Sequence, residues 1–191
     1  MDRHTLVGLF EDYSDADNAY AELKELVTSD NISLMAQETT LSSMKSEGVD
    51  TEDAVAAGAE GGATGGAVVG GIAGLITGLS ALVIPGIGPV ITLGTIAATL
   101  GTTAVGAGVG AAAGGVIGAL VGLGVPEDEA EIYAEGVRRG GVLIAVNHDM
   151  KDHDRVVEIL VSNNAMDIES TRDTWEEEGW TGFDATSSTM L

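Results

Sequence analysis

The feature that most constrains this chain is an uncharged, glycine-rich stretch in its middle. Residues 61–126 contain no Asp, Glu, Lys, Arg, His, Asn or Gln, and 20 of the chain's 28 glycines lie there. Glycine recurs at every fourth position in two series, first at Gly58, Gly62, Gly66, Gly70, Gly74 and Gly78, and later at Gly106, Gly110, Gly114, Gly118 and Gly122. Because a four-residue step keeps small residues near one face of an α-helix, the two series predict helices that pack backbone to backbone.

A turn is predicted between the two series, where two prolines and two glycines occur together at Pro85, Gly86, Gly88 and Pro89. One helix is then expected from about Thr51 to Ile84 and another from about Val90 to Leu123, with 34 residues in each. At ~1.5 Å per residue, each helix is about 50 Å long. Because glycine lowers helix stability by about 1 kcal/mol relative to alanine, contacts between helices are expected to compensate. Residues 51–124 are therefore predicted to form a glycine-zipper hairpin.

The flanking sequences carry all 38 charged residues and have the patterns of alternating strands and helices. The first flank is predicted to contain a strand over 5–10, a helix over 14–29 with Ser14 as its N-cap, and a strand over 31–40. The second is predicted to contain a helix over 126–139, a strand over 142–146, a helix over 152–162 and a strand over 166–171.

This order predicts an α+β fold, in which two β-α-β units form a ferredoxin-like βαββαβ domain and the long antiparallel hairpin is inserted between its halves. The predicted divisions are 1–50 for the first half, 51–124 for the hairpin, 125–174 for the additional helix and second half, and 175–191 for an acidic and aromatic tail. The tail is expected to pack on its own domain, with packing on a neighbouring subunit as the alternative.

Charge and composition exclude several classes of function. With 30 acidic residues against 8 Lys and Arg, the net charge is −22, which argues against nucleic-acid binding because phosphate contacts need clustered basic residues. The chain has no cysteine, so thiolate zinc sites and cysteine nucleophiles are excluded. No Walker motif occurs, and no spacing sets a nucleophile beside a base. We therefore predict a non-enzymatic protein that needs no cofactor.

One short segment has residue types that could bind a divalent metal ion. His148, Asp149, Asp152 and His153 lie within eight residues, 147–154, and imidazole and carboxylate groups are common metal ligands. The expected structure is instead a solvated strand-to-helix turn with Asp residues at the helix N-terminus, so that no metal is predicted.

The uncharged hairpin leaves three arrangements open: insertion into a membrane, burial between subunits of a soluble oligomer, and packing within one molecule. Its length and small-residue pattern favour a membrane. Acidic residues at both ends and the absence of Lys, Arg, Trp or Tyr anchors argue against it. Homo-oligomerisation is predicted in the first two arrangements, with lipid as an additional partner in the first. The expected location is the cytoplasmic side of a membrane, or the cytoplasm. A small-ligand or metal sensor anchored by the hairpin is a further alternative.

Parts of the chain resemble the bacterial general-stress, or heat-induced stress, protein family. The resemblance lies in the strand at 5–10 with its Asp- and Ala-rich helix, and in the segments Gly124–Ala130, Tyr133–Val137 and Gly140–Val146. It implies stress-linked expression and a frequent association with membranes, and it brings no catalytic residues. The regular glycine series and the strong acidity exceed what is typical of that family. The acidity suits either a high-salt protein or an ordinary acidic protein kept soluble by like charge.

Overall fold

The computed structural model describes residues 3–40, 80–84, 86–96 and 115–184. These ranges form an antiparallel sheet with helices on both faces, which confirms the α+β class. The strands are β1 (Arg3–Phe10), β2 (Ile32–Gln37), β3 (Ser80–Ile84), β4 (Gly88–Leu93) and β5 (Val142–Asp149). The helices are α1 (Tyr13–Leu26), α2 (Gly115–Gly122), α3 (Glu127–Arg138), α4 (His153–Ser162) and α5 (Ile168–Glu177).

The sheet has the strand order β1-β5-β2-β4-β3, and each neighbouring pair is antiparallel. β5 pairs with β1 from Arg3 opposite Asp149 to Phe10 opposite Val142. It pairs on its other side with β2, where Ile32 lies opposite Val146. Since β1 and β2 both run antiparallel to β5, they are parallel to each other, with α1 as the connection between them.

Side chains of β5 alternate between two hydrophobic cores. Val142, Ile144 and Val146 pack in the core beneath α1 and α4. Leu143 and Ala145 pack in the core beneath α2, α3 and α5. A strand covered on both faces is expected to be apolar throughout, and residues 142–146 are all buried.

The predicted long helical hairpin is wrong for residues 80–93. The segments 80–84 and 88–93 are strands of a β-hairpin that extends the sheet beyond β2. The prediction of a turn is confirmed, because the Ile87 N–H donates to the Ile84 carbonyl at 3.1 Å and Gly86 has φ +82°. Pro85 lies outside the described residues.

Local sequence explains why strands form here rather than helices. The four-residue glycine series stops at Gly78, and the turn is flanked by the branched runs 82–84 and 90–92, which favour strands over helices. Ile84 and Val90 face the core beneath α3. Burial of these side chains on a sheet face outweighs the helical pattern of the surrounding glycines.

Two smaller predictions are also wrong. The strand predicted over 166–171 is instead the start of α5, and Asp167 caps that helix by accepting a hydrogen bond from the Ser170 N–H at 2.8 Å. Only one backbone hydrogen bond joins this segment to β1, from the Met166 N–H to the Leu9 carbonyl at 2.7 Å. In α1 the N-cap position belongs to Asp12, so Ser14 lies within the helix.

Gly94 supplies a test of the sheet position of β4. Its φ is +78°, and a Cβ there would lie 2.6 Å from the Ile32 carbonyl oxygen and 2.9 Å from Ser33 Cα. Gly94→Ala should lower the free energy of unfolding by about 2–4 kcal/mol, since left-handed strain and backbone overlap each cost about 1–3 kcal/mol. Urea denaturation measures the change.

Gly88→Ala is the matched control, because Gly88 also has positive φ, +99°, but a Cβ there meets nothing within 4 Å. This substitution should lower the free energy of unfolding by about 1–2 kcal/mol, which is the cost of the backbone strain alone. In the helical hairpin that the glycine series predicts, Gly94→Ala would stabilise the protein by about 1 kcal/mol. A stabilised Gly94→Ala variant would therefore contradict the β4–β2 pairing.

Candidate functional site

The last two glycines of the second series lie on the outer side of α2. Val116, Ala119 and Leu120 of this helix are buried in the core, and α2 packs against α3. A Cβ added at Gly118 or Gly122 would meet no atom within 4 Å. Val121 on the same helix is 43% exposed. The described part of the chain therefore leaves the glycine side of α2 uncovered.

The other predicted association residues lie elsewhere. The remaining nine glycines of the two series, from Gly58 to Gly114, are outside the described residues. Gly86 lies in the hairpin turn, Gly88 begins β4 opposite Ile84, and Pro89 lies in β4 opposite Val83 of β3. The residues predicted to form the tip of an association element are thus part of the sheet.

The predicted metal candidates separate into a close pair of histidines and more distant carboxylates. His148 Nε2 lies 3.0 Å from His153 Nδ1, and the two ring centroids are 5.2 Å apart. His148 is 2% exposed, although it stands next to the exposed end of β5. Asp152 lies 3.8 Å from Lys151 Nζ in an exposed ion pair. Within the described ranges, no three His, Cys, Asp or Glu side chains converge as a metal site would require.

Sequence reasoning missed a buried carboxylate at the end of α3. Glu135 has no exposed side-chain surface, and it accepts hydrogen bonds from Arg138 at 2.7 Å and from Arg139 at 2.8 Å. Burial by itself would raise the pKa of Glu135, but the hydrogen bonds and charges of the two arginines outweigh it and hold the pKa below its usual value. The spacings of three and four residues were visible in the sequence as helical ion pairs. The burial of Glu135 was not visible in the sequence, because it depends on packing against elements that are distant along the chain.

The arginines of this cluster connect α3 to the tail. Arg139 donates to Glu178 at 2.8 Å, and its guanidinium lies 4.4 Å from the centroid of the Trp175 ring. Trp180 packs edge-on against Trp175 with centroids 6.1 Å apart. These contacts agree with the expectation that the tail packs on its own domain, for residues up to 184. A cavity of about 430 Å³ lies beside them, lined by Arg139, Gly140, Gly141, Thr171 and Trp175 among others.

Within the described residues, no helix combines the length and the apolar character that crossing a bilayer requires. Comparisons with protein-family models, with curated proteins and with solved structures find no match. The resemblance to general-stress proteins therefore remains a prediction.

Glu135→Gln should destabilise the protein at pH 7 by about 2–4 kcal/mol, because it leaves two partly buried arginines without their shared carboxylate. The pKa of Glu135 is lowered in the folded state. The contribution of the Glu135 carboxylate to the free energy of unfolding is therefore complete above the unfolded-state pKa of about 4.3. It is lost as the pH falls through the pKa of the folded state. The difference in unfolding free energy between wild type and variant should narrow below about pH 4.

Glu178→Gln provides the control for this experiment. Its side chain is 56% exposed, so the loss of its ion pair with Arg139 should cost less than about 1 kcal/mol. Denaturant unfolding at several pH values between 3 and 7 measures both differences. A Glu135→Gln difference that stays constant from pH 7 to pH 3 would contradict the role of the ionised carboxylate.

Proposed function

We propose that the protein is non-enzymatic and that it forms homo-oligomers through its glycine-rich segments. The observation that carries this proposal is the uncovered side of α2. Gly118 and Gly122 are four residues apart, and nothing in the described chain lies within 4 Å of a Cβ at either position. A second helix can approach such a surface closely, because no side chain holds the two backbones apart.

The cost of these glycines supports the same proposal. Each glycine within a helix lowers its stability by about 1 kcal/mol relative to alanine. Gly136 in α3 has a local reason to be glycine, since a Cβ there would collide with the Leu9 side chain. Gly118 and Gly122 have no such neighbour in the described residues. A helix packed closely on this side would require them to lack a side chain, and we propose that a second molecule supplies it.

Charge also favours contact through the uncharged segment. The chain has a net charge of −22, and every charged residue lies outside residues 61–126. Two copies of such a molecule repel each other over most of their surfaces. Residues 115–122 carry no charge and so add nothing to this repulsion.

We further propose that β1, α1, β2, β5 and α4 form a ferredoxin-like domain that lacks its fourth strand. The parallel pair β1 and β2 with β5 between them is the arrangement of a split β-α-β unit. The segment that would supply the fourth strand becomes α5 after a single backbone contact with β1. This domain would display both glycine-rich segments, because the first is followed in sequence by β3 and the second is preceded by β4.

The family resemblance adds a stress-associated role to this proposal. The proposed oligomer can take two forms. One assembles at the cytoplasmic side of a membrane, and the other is a soluble cytoplasmic particle. Lysis without detergent, followed by sedimentation and mass measurement of the soluble and pelleted fractions, distinguishes them. Pelleted protein released only by detergent indicates the membrane form, and soluble particles of high mass indicate the other.

The association surface is tested by the double variant Gly118→Leu, Gly122→Leu. Among the described residues no atom lies within 4 Å of a Cβ at either position, and leucine strengthens the helix by nearly 1 kcal/mol per site. We expect the dissociation constant of the oligomer to rise at least about tenfold. The melting temperature of the separated protomer should not fall. Sedimentation velocity and thermal unfolding measure the two quantities.

Gly118→Ala, Gly122→Ala is the matched control, because alanine keeps the small-residue surface and gives the same gain in helix propensity. It should retain assembly. If the leucine variant has the same mass as wild type, α2 does not form the contact. A wild-type protein that remains monomeric at all concentrations would overturn the proposed function as a whole.

A further inference from the structure

All three histidines of the chain lie at one corner of the sheet. His4 lies in β1 directly opposite His148 of β5, so both side chains belong to the same face. His153 begins α4 and brings its ring to 3.0 Å from His148. The chain contains no other histidine, and residues 4 and 148 become neighbours only through the pairing of β1 with β5.

Hydrogen bonding fixes which nitrogen of His148 carries the proton. Its Nδ1 lies 3.2 Å from the Val146 carbonyl oxygen. A carbonyl only accepts, so Nδ1 is the protonated nitrogen that donates to it. The lone pair of Nε2 is then directed towards His153 Nδ1. A histidine whose far nitrogen donates to a backbone carbonyl has the orientation that is usual for a metal ligand.

The separation of the two facing nitrogens is close to that of two ligands of a single ion. Zinc–nitrogen bonds are about 2.0–2.1 Å long, and the geometry around zinc is tetrahedral. Two nitrogens bound to one such ion are therefore about 3.3–3.4 Å apart. In the structure His148 Nε2 and His153 Nδ1 are 3.0 Å apart and face each other in a hydrogen bond. Binding of an ion would move the two nitrogens apart by about 0.3–0.4 Å and turn both of them towards the ion.

Acidic residues near His148 would accept a positive ion. A cavity of about 190 Å³ adjoins His148 next to the end of α1, and its lining includes Asp149, Lys151 and Asp152 but neither His153 nor His4. Two of these lining residues are acidic, and the ammonium of Lys151 is on a side chain that is 76% exposed and can turn away.

We propose that this corner binds one divalent transition-metal ion of the Zn²⁺ class through His148 Nε2, His153 Nδ1 and the imidazole of His4. Three imidazoles are a ligand set that suits Zn²⁺, Co²⁺ or Ni²⁺ rather than Mg²⁺ or Ca²⁺. Among the described residues no three such side chains converge, so His4 would have to turn to reach the ion. His4 is exposed, and Cβ atoms of directly paired residues are only about 4.5–5.5 Å apart.

The test is calorimetric titration of the full-length protein with ZnCl₂, after treatment with a chelator, in the presence of millimolar Mg²⁺. The magnesium occupies weak carboxylate sites on this acidic surface but does not compete for imidazoles. We expect one Zn²⁺ per chain. Titration with Co²⁺ should give the visible absorption of a nitrogen-coordinated ion, which non-specific carboxylate binding does not produce.

His153→Gln should weaken Zn²⁺ binding at least about a hundredfold, because even the loss of a residue that only orients a ligand costs 10–100-fold. His4→Gln should also weaken binding, and since His4 is exposed this variant keeps the fold. Asp154→Asn is the matched control, as it removes a charge next to His153 from an exposed position and should leave affinity unchanged.

Failure to bind Zn²⁺ in the presence of Mg²⁺ would overturn the proposal, as would an affinity that His153→Gln does not change. In either case buried His148 and half-buried His153 are joined by an ordinary hydrogen bond. An affinity that His4→Gln leaves unchanged would overturn the three-histidine assignment. Unfolding of each variant in the absence of metal, followed by circular dichroism, shows whether a loss of binding reflects a loss of fold.

Discussion

The pairing of β5 with its two neighbours is the constraint on which the rest of the described structure depends. β5 joins β1 and β2, which lie far from it in sequence, and its alternating side chains enter both hydrophobic cores. A strand buried on both faces leaves no room for unpaired charge. The chain is strongly acidic, yet among the described residues the buried carboxylate, Glu135, is bound by two arginines. In that part of the chain, acidic charge in the interior is therefore paired with basic charge.

The elements around β5 were predictable because their patterns are local. The apolar run at 142–146 and the helical spacing of α1, α3 and α4 can be read within a window of ten to fifteen residues. The misassigned segment at 166–171 has the opposite property. Met166 and Ile168 are two residues apart as in a strand, whereas Ile168, Thr171 and Trp175 have helical spacing. The Asp167 cap stabilises the helix. The short alternation in the sequence did not indicate whether a strand or a helix would form.

Long-range pairing explains the larger errors and omissions. The β-hairpin at 80–93 is held by backbone pairing with β2, in which Leu34 lies opposite Leu93. No local pattern reveals this pairing, while the glycine series on both sides of the hairpin has a strong helical period. The histidine corner has the same character. His148 and His153 are close in sequence, but the position of His4 follows only from the register of β1 and β5. Sequence therefore indicated His148 and His153 as residues of suitable chemistry, and topology added His4 beside them.

The topology also makes the two proposed interactions physically independent. His4, His148, Ile32 and Leu93 lie at one end of the sheet, and Ser80 of β3 lies at the same end. With strands about 4.8 Å apart, β5 and β3 are about 14 Å from each other across that end. The histidines face α1 and α4, whereas α2 packs in the core on the opposite face. Because the sheet separates His153 from Gly118, substitutions at the two positions should have additive effects on stability. A change in metal affinity and a change in assembly can then be attributed to separate surfaces of one domain.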